Sequence, residues 1–222
     1  TYVKIKVLGD SIKKFEGFKS SEFNKKIESD LSYDLTYNEV NIKFKKNTFY
    51  KDVTIDFDFN NDTLYMQNPY IPVNKSFTIN FPIKNKHKKE YYLALADKNE
   101  NSYYLSSNIV NNFFVANSKS LGKYFISIDT VKPKIKKIGK NKSLNKNQKL
   151  RYFINDDETG IKKYNAWINN QWALFEYEPK KKYIQFKPDN FIKLEKENTL
   201  KIELEDMVGN KFIYSEIFYF KN

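Results

Sequence analysis

One histidine, His87, stands in the run Lys84-Asn85-Lys86-His87-Lys88-Lys89, and the 222-residue chain has no cysteine. A catalytic zinc needs about three protein ligands and an open fourth position. A lone imidazole among lysines does not supply them, because the flanking ammonium groups repel a dication. A Ser-His-Asp triad would also have to use His87, and no nucleophile elbow accompanies it. Glycine-rich phosphate loops are absent, since the closest two of the six glycines, Gly9 and Gly17, are eight residues apart. Carboxylates do cluster. Asp156-Asp157-Glu158 could open a calcium loop with Asp206 as a distant partner. The same residues, followed by Thr159-Gly160, also read as a turn in which Gly160 takes positive φ. Asp206-Met207-Val208-Gly209-Asn210 has the same form. No catalytic, cofactor-binding or metal-ligating residue is therefore assigned, and no cofactor is expected in this chain.

Binding chemistry has better candidates. The formal net charge is +12, from 39 basic and 27 acidic residues. Between Val131 and Leu150 there are eight lysines and no acid. Lys132, Lys134, Lys136, Lys137, Lys140 and Lys142 form a candidate contact for a polyanion such as teichoic acid or lipopolysaccharide phosphate. The alternative is a solvated lysine-rich loop. Specific nucleic-acid recognition is not expected, because arginine carries the fork geometry that phosphate readout favours and Arg151 is the single arginine. Trp167-Ile168-Asn169-Asn170-Gln171-Trp172 suits a two-residue type I′ hairpin, because asparagine tolerates positive φ. That register places Trp167 opposite Trp172 on one face, as a stacking platform for a ligand or as a packing pair.

The elements that must carry these residues are strands. Period-two alternation recurs at Tyr2–Val7, Val40–Phe44 and Val53–Phe59, the last with Asn60-Asn61-Asp62 as its turn. It continues through Thr63–Met66, Ser76–Phe81, Tyr91–Ala96, Tyr103–Leu105, Phe113–Ala116 and Lys123–Ile128. The second half reads as Leu150–Ile154, Lys163–Ile168, Trp172–Tyr177, Tyr183–Phe186, Thr199–Leu204 and Lys211–Phe220. Ser20–Ser32 reads as a weak helix or a polar connection. Pro133 in Asp129-Thr130-Val131-Lys132-Pro133-Lys134-Ile135 fixes φ and removes a donor, which marks a boundary between units. Aromatics make up 17% of the chain, a load that argues against disorder. The longest apolar run, Tyr91–Ala96, is six residues, too short for a transmembrane helix.

Several segments resemble a known group of proteins. Asn155–Ile161 resembles a "D-x-x-S-G-I" step. Tyr164–Tyr177 is similar to "Y-x-A-x-I-(D/N)-G-K-W-x-L-x-E-Y", and Leu200–Asn210 to "L-x-(V/I)-x-(V/A)-x-D-x-x-G-N". Val40–Tyr50 resembles "I-x-V-x-F-P-x-N-T-F-Y", and Pro72–Ile79 resembles "P-V-H-K-x-F-T-I". In this order they look like the C-terminal Ig-like region of secreted lysostaphin-like (LytM-type) zinc metallopeptidases of Bacteroidetes, over roughly residues 35 to 222. Asn170 stands where that family usually has glycine, and Lys45-Lys46 where proline is common. The family's zinc ligands, His-x3-Asp and His-x-His, have no counterpart here, so no catalytic residue carries over.

The expectation is an all-β chain of two consecutive β-sandwich, Ig-like domains. Residues 1–32 are expected to be the end of a preceding module plus a connection. Residues 33–130 form the first sandwich and 131–222 the second, Ig-like one. The resemblance implies a non-catalytic binding or positioning region of a secreted cell-wall peptidase or a peptidase-related envelope protein. A structural or accessory subunit of a surface or secretion complex is the alternative. Implied partners are an upstream domain of the same polypeptide and a cell-envelope polymer or protein. The implied location is secreted or on the cell envelope, with zinc confined to any upstream peptidase domain.

Overall fold

A computed structural model describes residues 3–8, 22–84, 89–96, 101–139 and 142–221; His87 and Lys140 lie outside these. The chain is all-β and divides into two compact units, Thr1–Asp129 and Thr130–Asn222. No helix among the described residues is long and apolar enough to cross a membrane.

The first unit contains β1 (Val3–Leu8), β2 (Glu22–Ile27), β3 (Ser32–Tyr37), β4 (Val40–Phe44), β5 (Val53–Asn60) and β6 (Thr63–Met66). It continues with β7 (Phe77–Pro82), β8 (Tyr91–Ala96), β9 (Ser102–Ser106), β10 (Ile109–Val110), β11 (Phe113–Ser118) and β12 (Lys123–Ile128). Two six-stranded sheets result, ordered β1-β3-β4-β7-β11-β10 and β2-β5-β6-β12-β8-β9. Alternation makes the core: Tyr33, Leu35 and Tyr37 of β3 and Val40, Ile42 and Phe44 of β4 turn inward, as do Ile55 and Phe57 of β5. Phe44 stands 5.1 Å from Phe77 and 5.3 Å from Phe49, centroid to centroid. The Asn47–Phe49 segment is a structural clasp. Asn47 takes φ 62°, the Thr48 hydroxyl donates to Lys45 O at 2.7 Å, and Phe49 bridges to Val73.

The weak helix or connection expected over Ser20–Ser32 is corrected. Residues 22–27 are a strand paired antiparallel with β5, from Glu22↔Asp58 to Ile27↔Val53. Phe23, Lys25 and Ile27 face inward at period two while Asn24 and Lys26 are exposed. The Lys25 ammonium sits 5.8 Å from the Tyr33 ring centroid, so a charged residue serves on the inner face without burying its charge. β1 pairs with β3, so residues 3–8 also belong to a sheet of the first unit, in place of the preceding module expected there.

The second unit contains β13 (Lys134–Lys137), β14 (Ser143–Leu144), β15 (Leu150–Asn155), β16 (Ile161–Ile168) and β17 (Gln171–Trp172). It ends with β18 (Glu176–Glu178), β19 (Tyr183–Phe186), β20 (Glu197–Asp206) and β21 (Lys211–Phe220). The sheets are β13-β15-β19-β18 and β14-β21-β20-β16-β17. This is the immunoglobulin strand order, A-B-E-D facing A′-G-F-C-C′, with the first strand shared between the two sheets. Tyr152, Phe175, Phe186, Leu200, Ile202 and Phe218 lie in the core between them.

The single strand expected over Trp172–Tyr177 is two. β17 pairs with β16, whereas β18 pairs with β19 in the other sheet. Ala173 and Phe175 are buried at the crossing, and Leu174 between them is 59% exposed. The apolar residues fill the gap between sheets, and the chain changes sheet as they do.

Candidate functional site

The lysine-rich stretch becomes an edge. β13 has the burial pattern exposed, intermediate, exposed, intermediate, so Lys134 and Lys136 point outward and Ile135 and Lys137 turn inward. Lys132 and Lys142 are exposed as well. Lys134 makes a surface ion pair with Asp157 at 2.8 Å, with both side chains more than 60% exposed. Such pairs contribute little, roughly 0–1 kcal/mol. Lys132, Lys136 and Lys142 have no ion pair among the described residues, so their charge faces solvent.

Lys137 departs from the expected strip. Its Nζ lies 2.6 Å from Glu216 Oε1 on β21, and the two side chains are only 16% and 15% exposed. Tyr152 and Tyr214 donate to the same carboxylate, the latter at 2.8 Å. Burial alone would push Glu216 up. The hydrogen bonds from Lys137, Tyr152 and Tyr214 and the Lys137 charge outweigh it and hold the carboxyl below its ordinary value. Burial, with the donated bond and the neighbouring carboxylate, pushes the Tyr214 phenol up to about 12 and raises Tyr152 as well. Lys137 is thus a part-buried cation with a committed partner, unlike the exposed Lys132, Lys136 and Lys142.

The Asn169-Asn170 hairpin has the expected register, Ile168↔Gln171 and Trp167↔Trp172. Asn169 and Asn170 take φ 50° and 64°, the left-handed pair of a type I′ turn. Both indoles share the outer face of the five-stranded sheet, and Trp172 is 56% exposed. Lys201 Nζ stands 5.0 Å from the Trp167 ring centroid and 2.6 Å from Glu203. An open groove beside them is lined by Trp167, Asn170, Thr199, Lys201, Ser215 and Ile217, among others.

The two acidic turns converge. Asp156 and Asp206 each place a carboxylate oxygen within 4.8 Å of the other. Asp156 Oδ1 accepts the Thr159 and Gly160 amides at 2.8 and 2.9 Å. Asp206 Oδ1 accepts those of Val208, Gly209 and Asn210 at 3.0, 2.6 and 2.8 Å. Gly160 has φ +83°, as its turn requires.

What sequence reasoning missed is a cleft of about 410 Å³ in the second unit. Its walls are Lys137, Ile138 and Gly139, then Ser143 and Leu144, then Asn147 through Arg151. It lies where the chain leaves one sheet for the other and returns. No local pattern announces it.

The fold defines the second unit as an immunoglobulin-like β-sandwich. Residues 24–129 match the family model of the Zu5-like domain. No curated protein matches the chain. Among solved structures it is similar to the fibronectin(III)-like modules of Clostridium thermocellum CbhA, at 14% identity and a TM-score of 0.32, over 66% of this chain and 86% of that one.

Proposed function

We propose that this chain is a non-catalytic binding and positioning region of a secreted lysostaphin-like cell-wall peptidase or a peptidase-related envelope protein. It docks that protein on an anionic polymer of the cell envelope and leaves bond cleavage to an upstream domain of the same polypeptide. The observation that carries this reading is the cationic edge of the second unit, where Lys132, Lys136 and Lys142 are exposed without ion pairs among the described residues. The motif order over residues 35 to 222 supports the peptidase connection.

Exposed charges of this kind act over a Debye length of about 8 Å at physiological salt, so binding is salt-sensitive and indifferent to polymer sequence. The test is retention on heparin and on purified anionic envelope polymer. Changing Lys132, Lys136 and Lys142 together to glutamine is expected to lower the eluting salt concentration. Unchanged elution, or a sequence-specific nucleic-acid preference, would refute the docking role.

A further inference from the structure

We propose that the outer face of the five-stranded sheet in the second unit is a platform for an uncharged, β-linked chain of N-acetylated amino sugars. Trp172 is its stacking surface, and Trp167, Asn170 and Ser215 are its hydrogen-bonding groups. This goes beyond the docking function above and is independent of the cationic edge.

The ladders bring these residues together. Trp172 lies opposite Trp167, Trp167 opposite Lys201, and Lys201 opposite Ser215. The four side chains therefore form one outward row across β17, β16, β20 and β21. Residues directly opposite in antiparallel strands share a face, and neighbouring strands are about 4.8 Å apart, so the row spans roughly 14 Å. A flat row of that length suits a short run of sugar rings in an extended chain. On either side of it Thr199 lies opposite Ile217 and Glu203 opposite Ile213. Along β21, Ser215 thus stands between two exposed isoleucines.

The indoles are placed for a ligand and not for each other. Neither meets another aromatic ring among the described residues, although they face each other across the hairpin. Lys201 stands over the Trp167 ring and is itself held by Glu203, so Trp167 is a braced wall. Trp172 leaves its ring in water. The groove beside them, about 420 Å³, is lined by Trp167, Asn170, Lys201, Ser215 and Ile217 among others. The Trp167 N–H, the Asn170 side-chain amide and the Ser215 hydroxyl make no hydrogen bond to the described residues. Outward polar side chains of the first unit behave differently. Asn80 donates to Asn41 at 2.8 Å and Thr78 to Asn117 at 3.0 Å. An aromatic surface beside unspent donors and acceptors matches a pyranose ring, which has a C–H face and a hydroxyl rim.

Charge narrows the ligand further. In the groove lining, Lys201 is neutralised by Glu203 and Glu216 by Lys137. A chain of net charge +12 thus presents a groove with balanced charge, which complements an uncharged ligand better than a polyanion or an acidic peptide. The isoleucine–serine–isoleucine strip selects among uncharged sugars. An acetamido group would lay its methyl on Ile217 and exchange hydrogen bonds with Ser215 and Asn170.

The experiment is calorimetric titration of the 222-residue chain with chitohexaose, cellohexaose and maltohexaose. Saturable binding of chitohexaose is expected, with a change in tryptophan emission. Cellohexaose has the same ring faces without acetamido groups and should bind severalfold more weakly. Maltohexaose, whose α-linkages curve the chain, should show no binding. Trp172→Ala is expected to weaken chitohexaose binding about tenfold, as loss of an aromatic anchor does. Trp172→Phe, which keeps a ring, should cost less, and Ser215→Ala severalfold. All three positions are exposed, so the variants should keep the wild-type unfolding midpoint. Absence of saturable binding would overturn the platform, as would Trp172→Ala titrating like wild type or maltohexaose binding as tightly as chitohexaose. Equal affinity for cellohexaose would overturn the acetamido assignment. Dimerisation in sedimentation that Trp172→Ala abolishes would give the face to a second copy of the chain and overturn the sugar.

Discussion

Replacing Glu216 with glutamine tests the account of the second unit most directly. The wild-type carboxylate receives Lys137, Tyr152 and Tyr214. Glutamine keeps the shape, removes the charge and turns an NH2 group toward donors. Lys137 is then a largely buried cation without a counterion. Removing one partner of a buried pair costs about 3–5 kcal/mol, and the lower end applies because both side chains keep some solvent contact. Urea unfolding followed by tryptophan emission isolates the effect, since the two tryptophans, Trp167 and Trp172, are both in this unit. With a slope of about 1–2 kcal/mol per molar for a unit of this size, the midpoint should fall by roughly 1.5–3 M. Acid provides a second axis. The folded carboxyl sits below its ordinary 4.5, so the stability it contributes is present above that value and is lost as pH falls through the folded value. The gap between wild type and Glu216→Gln should therefore close in acid. A midpoint shift under about 0.5 M, or a gap that persists at low pH, would refute the reasoning.

Three other outcomes are expected. Gly122→Ala should destabilise the first unit by about 2–3 kcal/mol, because a Cβ there would meet the Ala96 carbonyl oxygen at 2.6 Å at φ +155°; faster amide exchange in β8 would show it, and wild-type exchange would contradict it. Asn170→Val should cost about 1–2 kcal/mol in the tryptophan-monitored transition, since a β-branched residue resists φ 64°; an unchanged midpoint would mean that the turn had rearranged. In alkaline titration followed by tyrosinate absorbance, Tyr214 and Tyr152 should ionise above the bulk of the 17 tyrosines. Burial and the Glu216 carboxylate raise them, so the stability they contribute is full below the ordinary tyrosine value and is lost as pH rises from there through the raised values. A single transition near the ordinary value would speak against the buried network.

The strands with strong alternation, such as β5 and β20, were legible because one face of each is core and the other solvent. The Trp167–Trp172 register followed from turn chemistry alone. β2 escaped notice because one of its inward positions is Lys25, whose stem packs while its charge rides over Tyr33. β13 was hidden inside the lysine run, where Lys137 looks like its neighbours. Its counterion is 79 residues away, and no local pattern can announce it. The approach of Asp156 to Asp206 was legible only as a distant pairing. The cleft depends on where the chain changes sheets, which is a property of packing and not of periodicity.

The parallel pairing of β14 with β21 bears on mechanics. The Tyr219 amide donates to Lys142 O at 2.7 Å and the Lys221 amide to Leu144 O at 2.8 Å, so the last strand of the unit is held to one near its beginning. Tension applied through the two ends of the unit pulls parallel neighbours in opposite directions. Their hydrogen bonds then bear the load together in shear, where an antiparallel hairpin pulled at its open end would unzip one bond at a time. Resistance to such force is set by the unfolding rate more than by equilibrium stability. A domain that tethers one object to another under drag is served by that arrangement.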